Sequence, residues 1–168
     1  MAEIKFRAIE RDDLDLIKMW RNSPNVMPYC RQYRPLSNKD MSTWYESMNR
    51  ESDYNLTNDM FMILDGEMPI GVCGLIRIDW RNRKAEVSFY IGTPQEASES
   101  TIIKSLCKLM VYAFKTLGLH KVYFPVYSYN PYLTIYEKCM TRGYVAKGEY
   151  FYDGVYHDRI VLEGFDNE

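Results

Sequence analysis

The chain has 168 residues, 46% apolar and 26% charged, with a net charge of −2. That length and balance fit a single soluble domain over 1–168 with a core of useful size. They exclude the basic footprint of a nucleic-acid binder or an anionic-membrane binder, and no apolar run approaches the ~20 residues of a membrane span. The start M-A-E-I-K-F-R is charged and strand-like, unlike a signal peptide. Cys30, Cys73, Cys107 and Cys139 are far apart and form no C-x-x-C pair. Neither a metal site nor a disulfide framework is expected, and reduced thiols of a cytoplasmic protein are.

Residues 4–9 (I-K-F-R-A-I) alternate apolar and polar and predict a strand. Asp12 and Asp13 stand where the cap and first turn of a helix would be, with Leu14, Ile17 and Trp20 at helical spacing. That helix should stop near Asn22, since Pro24 disfavours helical geometry at Ser23. Pro24, Pro28 and Pro35 make 23–37 a loop. Ser37 or Asn38 can cap a second helix to about Met48, its apolar face carrying Met41, Trp44, Tyr45 and Met48. Residues 49–58 read as a polar connection.

The period then changes. Segments 60–64, 69–79 and 84–91 read as strands joined by short turns, the first at Asp65-Gly66, and predict an antiparallel meander. A helix is expected over 101–117, stopped by Gly118. The strand 120–127 follows a strand–helix crossover, so it should pair in parallel with 84–91. A helix over 131–140 and a hairpin turning at Asp153-Gly154 complete the chain.

The order A-E-V-S-F-Y-I-G (85–92), the long helix, H-K-V-Y-F-P-V-Y (120–127), S-Y-N (128–130), Y-E-K-C (136–139) and D-G-V-Y-H-D (153–158) resembles the GNAT N-acetyltransferases of the RimJ/RimL type. The resemblance covers nearly the whole chain. It implies an α/β (α+β) GNAT fold, with a mixed, mainly antiparallel twisted sheet flanked by about four helices. It also implies transfer of an acetyl group from acetyl-CoA, as co-substrate, to a primary amine of a small molecule, an amino sugar or a protein N-terminus. The expected partner is a small-molecule or peptide amine, with no nucleic acid and no membrane; a homodimer is left open.

The same resemblance assigns site residues. The backbone of Phe89, Tyr90 and Ile91 would pair with the pantetheine amides where the strands 84–91 and 120–127 splay apart. The glycine-rich diphosphate loop of the family falls on Ala97, Ser98, Glu99, Ser100, Thr101 and Ile102, where no glycine stands. A helix N-terminus still offers N–H groups to a diphosphate, and the hydroxyls of Ser98, Ser100 and Thr101 can donate. Glu96 and Glu99 oppose it, and Ser98 is also a good cap by itself. Asn130 would face the cofactor, and Tyr136 would give the leaving thiolate its proton, a neutral phenol being a suitable donor. The interval from Asn130 to Tyr136 is one residue shorter than the family's, which makes Tyr132 the spare candidate. Three residues, Met140-Thr141-Arg142, also intervene before Gly143.

Glu86 is the candidate base. It shares a strand face with Ser88 and Tyr90, and either a substrate cleft or an ion pair with Arg77 would satisfy it. Trp20-Arg21-Asn22 resembles a motif of family members that act on amino sugars and peptide amines. His120 and His157 read as structural. The competing expectation is a GNAT fold without CoA chemistry, serving as a binding or assembly module; the glycine-free loop favours it.

Overall fold

A computed structural model describes residues 3–48, 56–93 and 97–166. Seven strands form one sheet in the order β1-β2-β3-β4-β5-β7-β6. They are β1 (Ile4–Ala8), β2 (Asp59–Asp65), β3 (Met68–Asp79), β4 (Lys84–Ile91), β5 (Lys121–Tyr127), β6 (Thr141–Tyr152) and β7 (Val155–Phe165). Among the described residues only β4 and β5 pair in parallel; the other ladders are antiparallel. The expected mixed, mainly antiparallel sheet is therefore present, with the meander and the crossover in place.

The described residues hold four α-helices that pack on the sheet: α1 (Leu14–Arg21), α2 (Asn38–Met48), α3 (Glu99–Val111) and the single turn α4 (Leu133–Tyr136). Period-2 alternation sends successive side chains to opposite faces of the sheet. Met62 and Val72 meet Leu14, Ile17, Trp20 and Met41 of α1 and α2 on one face. Ile63, Cys73, Leu75, Val87 and Phe89 meet Ile102, Leu106 and Leu109 of α3 on the other. No helix among the described residues is long and apolar enough to cross a membrane, and the four cysteines are free thiols.

Several boundaries differ from the sequence reading. A 3₁₀ turn over Arg11–Asp13 precedes α1, and Asp13 gives its carboxylate to Arg7, in two bonds of 2.7 Å, and to the Glu10 N–H. The β2–β3 turn is Gly66-Glu67, one residue later than expected, because Asp65 still pairs with Met68 and Gly66 takes the left-handed φ of 65°. The α3 helix starts at Glu99, capped by the Ser98 hydroxyl, and ends in a π-helical turn over Tyr112–Thr116 before Gly118.

The helix expected over 131–140 is only one turn. Thr141 and Arg142 are already in ladder with Glu163 and Leu162 of β7. The three apparently inserted residues thus belong to the run into β6, not to the helix. The β6–β7 turn lies at Asp153-Gly154 as expected, both residues with positive φ. Of the 49–58 connection, residues 49–55 lie outside the described residues.

Candidate active site

The β4–β5 ladder is short. It joins Lys84 to Lys121, Ala85 to Val122 and Glu86 to Tyr123, and then stops. On its other side β4 stays paired with β3 as far as Ile91. The strands therefore part beyond Glu86, as expected. The backbone of Phe89, Tyr90 and Ile91 has polar groups facing the gap with no strand to receive them. Such an edge suits an extended chain bearing amides, because strand-type hydrogen bonds are what it lacks.

Tyr136 sits at the foot of this gap. Its ring packs 5.0 Å from Phe124 and 5.9 Å from Phe89, one on each splayed strand. It is 3% exposed, and burial pushes its phenol far above the usual range, with Tyr132 and Cys30 acting the same way. The shortened interval after Asn130 has not turned Tyr136 outward. Tyr132 lies farther up the turn and is only partly buried. The Asn130 Oδ1 accepts the Tyr132 N–H at 2.8 Å, which fixes the start of α4.

At the other end of the gap, the Ser98 Oγ accepts the Thr101 N–H at 3.1 Å and lies 3.0 Å from the Thr101 Oγ1. The Ser98 and Thr101 hydroxyls are thus engaged with each other. The remaining N–H groups of the first turn point out of the helix end. Ser98 itself is extended, with φ −71° and ψ 159°. Glu99 pairs with Lys138, from the turn after α4, so its charge at the helix mouth is offset by a cation. Glu96 lies outside the described residues.

A cleft of about 240 Å³ opens beside β4 on the α1–α2 side. Its walls include Glu86, Ser88 and Tyr90 from β4, Tyr29, Cys30 and Arg31 from the loop after α1, and Tyr127 and Arg159 from β5 and β7. The loop is tied down from below. The Tyr129 hydroxyl donates to the Pro28 carbonyl at 2.7 Å, and the Tyr150 hydroxyl to the Cys30 carbonyl at 3.3 Å. Burial pushes the Cys30 thiol up, which favours the thiol over the thiolate.

Glu86 does not stand open in this cleft, away from Arg77, as the base reading required. Its side chain is 4% exposed and held between two guanidinium groups. The Arg77 Nη1 donates to Oε2 at 2.8 Å, and the Arg31 Nη2 donates to Oε1. The cause is a bulge. The β3–β4 register shifts between Ile76 and Asp79, and Arg77 takes φ 52°, which breaks the alternation that would have sent it to the opposite face. Both carboxylate oxygens are thus engaged by arginines, and neither is presented to an incoming amine.

The W-R-N triplet has a structural meaning that spacing alone could not show. Trp20 packs over Gly92 at the end of β4, where a Cβ would fall 2.0 Å from the indole. Asn22 pins the loop: its Oδ1 accepts the Leu36 N–H at 2.7 Å and the Gln32 Nε2 at 3.0 Å, and its Nδ2 donates to the Leu36 carbonyl at 2.9 Å. Arg21 turns into the cleft, over the Tyr90 ring. Arg21, Arg31 and Arg159 were not singled out as site residues. Arg21 and Arg31 lie on α1 and the loop after it, Arg159 far along the chain on β7, and only Arg21 belonged to a recognisable motif.

Residues 3–139 match the model of the acetyltransferase (GNAT) domain family. The spermidine N(1)-acetyltransferase of Vibrio cholerae is 29% identical over 163 residues, spanning 94% of this chain and 90% of that protein. The enzyme of the same name from Escherichia coli K12 is 26% identical over 171 residues, spanning 98% and 87%. The crystal structure of the Vibrio cholerae spermidine N-acetyltransferase in complex with CoA and spermine superimposes with a TM-score of 0.79 at 27% identity, covering 96% of this chain and 95% of that one.

Proposed function

The chain belongs to the GNAT acetyltransferase family, and from that membership we propose how its own residues carry acetyl transfer from acetyl-CoA to an amine. The expectation of a fold without CoA chemistry is set aside: relatives spanning nearly the whole chain are acetyltransferases, and one is a complex with CoA. The observation that carries the assignment of the site is the parting of β4 and β5 beyond Glu86, with Tyr136 at its foot. The residues fit the co-substrate, which enters as a reactant. The freed edge of Phe89, Tyr90 and Ile91 receives its amide arm, and the α3 N-terminus, from Ala97 through Thr101, receives its diphosphate. The offset of Glu99 by Lys138 lessens the charge conflict that this acid creates with a diphosphate. The Asn130 Oδ1 accepts the Tyr132 N–H in the turn that leads into α4, so its contribution is to hold that turn, and with it Tyr136, in place.

The transfer is direct. The neutral amine forms the new C–N bond while the thioester C–S bond breaks. The Tyr136 hydroxyl gives its proton to the departing thiolate, and the amine's proton leaves to water. Burial keeps Tyr136 protonated throughout the working pH range. Glu86, held by Arg31 and Arg77, acts as a positioning residue that fixes Arg31 on the cleft wall.

The acceptor is a primary amine of a small molecule bound in the cleft. The relatives' names make a polyamine one reading of it. The features at Trp20-Arg21-Asn22 and in the D-G-V-Y-H-D hairpin support a RimJ/RimL-type placement within the family and a different acceptor. Calorimetric titration with CoA, followed by a thiol-release assay with acetyl-CoA and a panel of amines, tests the proposal. Saturable CoA binding and amine-dependent thiol release are expected; absence of both would overturn it.

A further inference from the structure

Taking the cleft beside β4 as the acceptor site, we infer that the acceptor is an amine that also carries a carboxylate or phosphate, and that Arg21 holds that anionic group. The protein as a whole has a net charge of −2, yet this cleft is positive. Arg31 and Arg77 share one carboxylate, Glu86. Arg159 has Glu149. Arg34 and Asp40, farther out, match each other, and Asp40 also lines the small hollow behind Arg21.

Arg21 differs from the others. Its Nε donates to the neutral side-chain carbonyl of Gln32 at 3.2 Å, and its guanidinium lies 5.7 Å from the centre of the Tyr90 ring. No carboxylate pairs with it among the described residues. The Tyr90 hydroxyl, on the same wall, is buried beside Arg21, and nothing among the described residues accepts its O–H. A guanidinium fork beside a phenol whose O–H has no acceptor is a donor set without an anionic partner. Carboxylates and phosphates are the ligands that such a set recognises, and the guanidinium plane takes them in two parallel bonds.

The same charges disfavour a polyamine. Its ammonium groups would face Arg21 and Arg31, and like charges brought together in a confined cleft oppose binding. For an amine anchored through its anionic end, the arginines have a second effect. Nearby positive charge lowers the pKa of the bound ammonium, so more of it is neutral when the thioester is presented. No carboxylate base is needed, which agrees with Glu86 being engaged elsewhere.

The test compares matched ligands binding to the full-length protein by calorimetry at low salt. Glucosamine 6-phosphate is set against glucosamine, β-alanine against β-alaninamide, and spermidine is included. The anionic member of at least one pair should bind about tenfold or more tightly than its neutral partner and than spermidine, the scale of one charge-assisted contact. A preference in the first pair alone identifies phosphate, and in the second alone carboxylate. Arg21→Gln should erase the preference while CoA binding, which reports an intact fold, is retained. Should that variant lose CoA binding, Arg21→Lys, which keeps the charge without the fork, should weaken the preference instead. Equal binding within both pairs, tightest binding of spermidine, or a preference that survives loss of the Arg21 fork overturns the inference. Failure of the wild-type protein to bind CoA overturns the acetyltransferase reading and leaves the anion preference to be judged on the pairs alone.

Discussion

Gly92 lies flat against the indole of Trp20, so close that a Cβ would sit 2.0 Å from the ring. This contact joins the end of β4 to the end of α1, and so sets the cofactor edge and Arg21 relative to each other. Gly92→Ala must push the ring aside and should cost about 1–3 kcal/mol, the scale of overpacking. Chemical denaturation measures the loss. Acceptor KM should rise more than CoA affinity falls, because Arg21 adjoins Trp20. An unchanged midpoint would mean that the indole moves freely.

Glu86 is buried, whereas its partners Arg31 and Arg77 are 45% and 64% exposed. Removing the carboxylate leaves two solvated arginines; removing both arginines leaves a buried charge. Glu86→Gln should therefore cost about 1 kcal/mol, and the Arg31→Ala, Arg77→Ala double variant more, about 3–5 kcal/mol. As a positioning residue, Glu86 should affect acceptor KM and leave the shape of the pH–rate profile unchanged in Glu86→Gln. Loss of the acidic limb of that profile would instead restore Glu86 as the base.

Tyr136→Phe removes one hydroxyl from a ring whose packing against Phe89 and Phe124 remains. Turnover should fall about 10²–10⁴-fold, with CoA affinity and thermal midpoint nearly unchanged. Tyr132→Phe should have little effect on turnover. The opposite ranking in a steady-state assay would transfer the acid role to Tyr132.

The Glu99–Lys138 pair stands at the mouth of α3. Glu99→Gln should tighten CoA binding by releasing Lys138 toward the diphosphate, and Lys138→Met should weaken it. Both partners are about half exposed, so both effects should shrink as salt is raised. Calorimetry at two ionic strengths decides this, and equal shifts at both would rule out the electrostatic account.

Asp13 and Asp59 should give opposite pH dependence. The hydrogen bonds of Arg7 hold the Asp13 carboxyl below its usual range. Its contribution to stability is present above the ordinary carboxylate pKa and is lost as pH falls through the lowered folded value. Burial raises Asp59, against the opposing bond from the Tyr112 hydroxyl. Its folded state is favoured at low pH and loses that advantage as pH rises through the raised value. In melts from pH 3 to 7, Asp13→Asn should become more destabilising with rising pH, and Asp59→Asn less so or stabilising. Parallel trends for the two variants would contradict these assignments.

Much of the fold is local and was legible in the residues. The alternation in 4–8 and 84–91, the cap at Ser98, the stop at Gly118 and the paired positive-φ residues Asp153-Gly154 all act within a few positions of themselves. The strand–helix–strand order required the parallel pair and, with it, the gap where β4 and β5 part. The proposed site was legible only where it follows the chain, at Phe89 to Ile91, at Ala97 to Thr101 and at Tyr136. Its electrostatics were legible only in part: the pair between Glu86 and Arg77 was one of two alternatives that the residues left open. Arg31, Arg77 and Glu86 meet because a bulge turns one strand residue over and a loop pinned by Asn22 lays another across it. Arg21 and Arg159 reach one cleft from positions more than a hundred residues apart. Charge in a cleft depends on which side chains converge in space, and short-range periodicity carries no record of that. The order of the residues carried the family, the elements and the gap between β4 and β5; packing across the sheet decided that Glu86 is held by two arginines and that Arg21, Arg31 and Arg159 line one cleft.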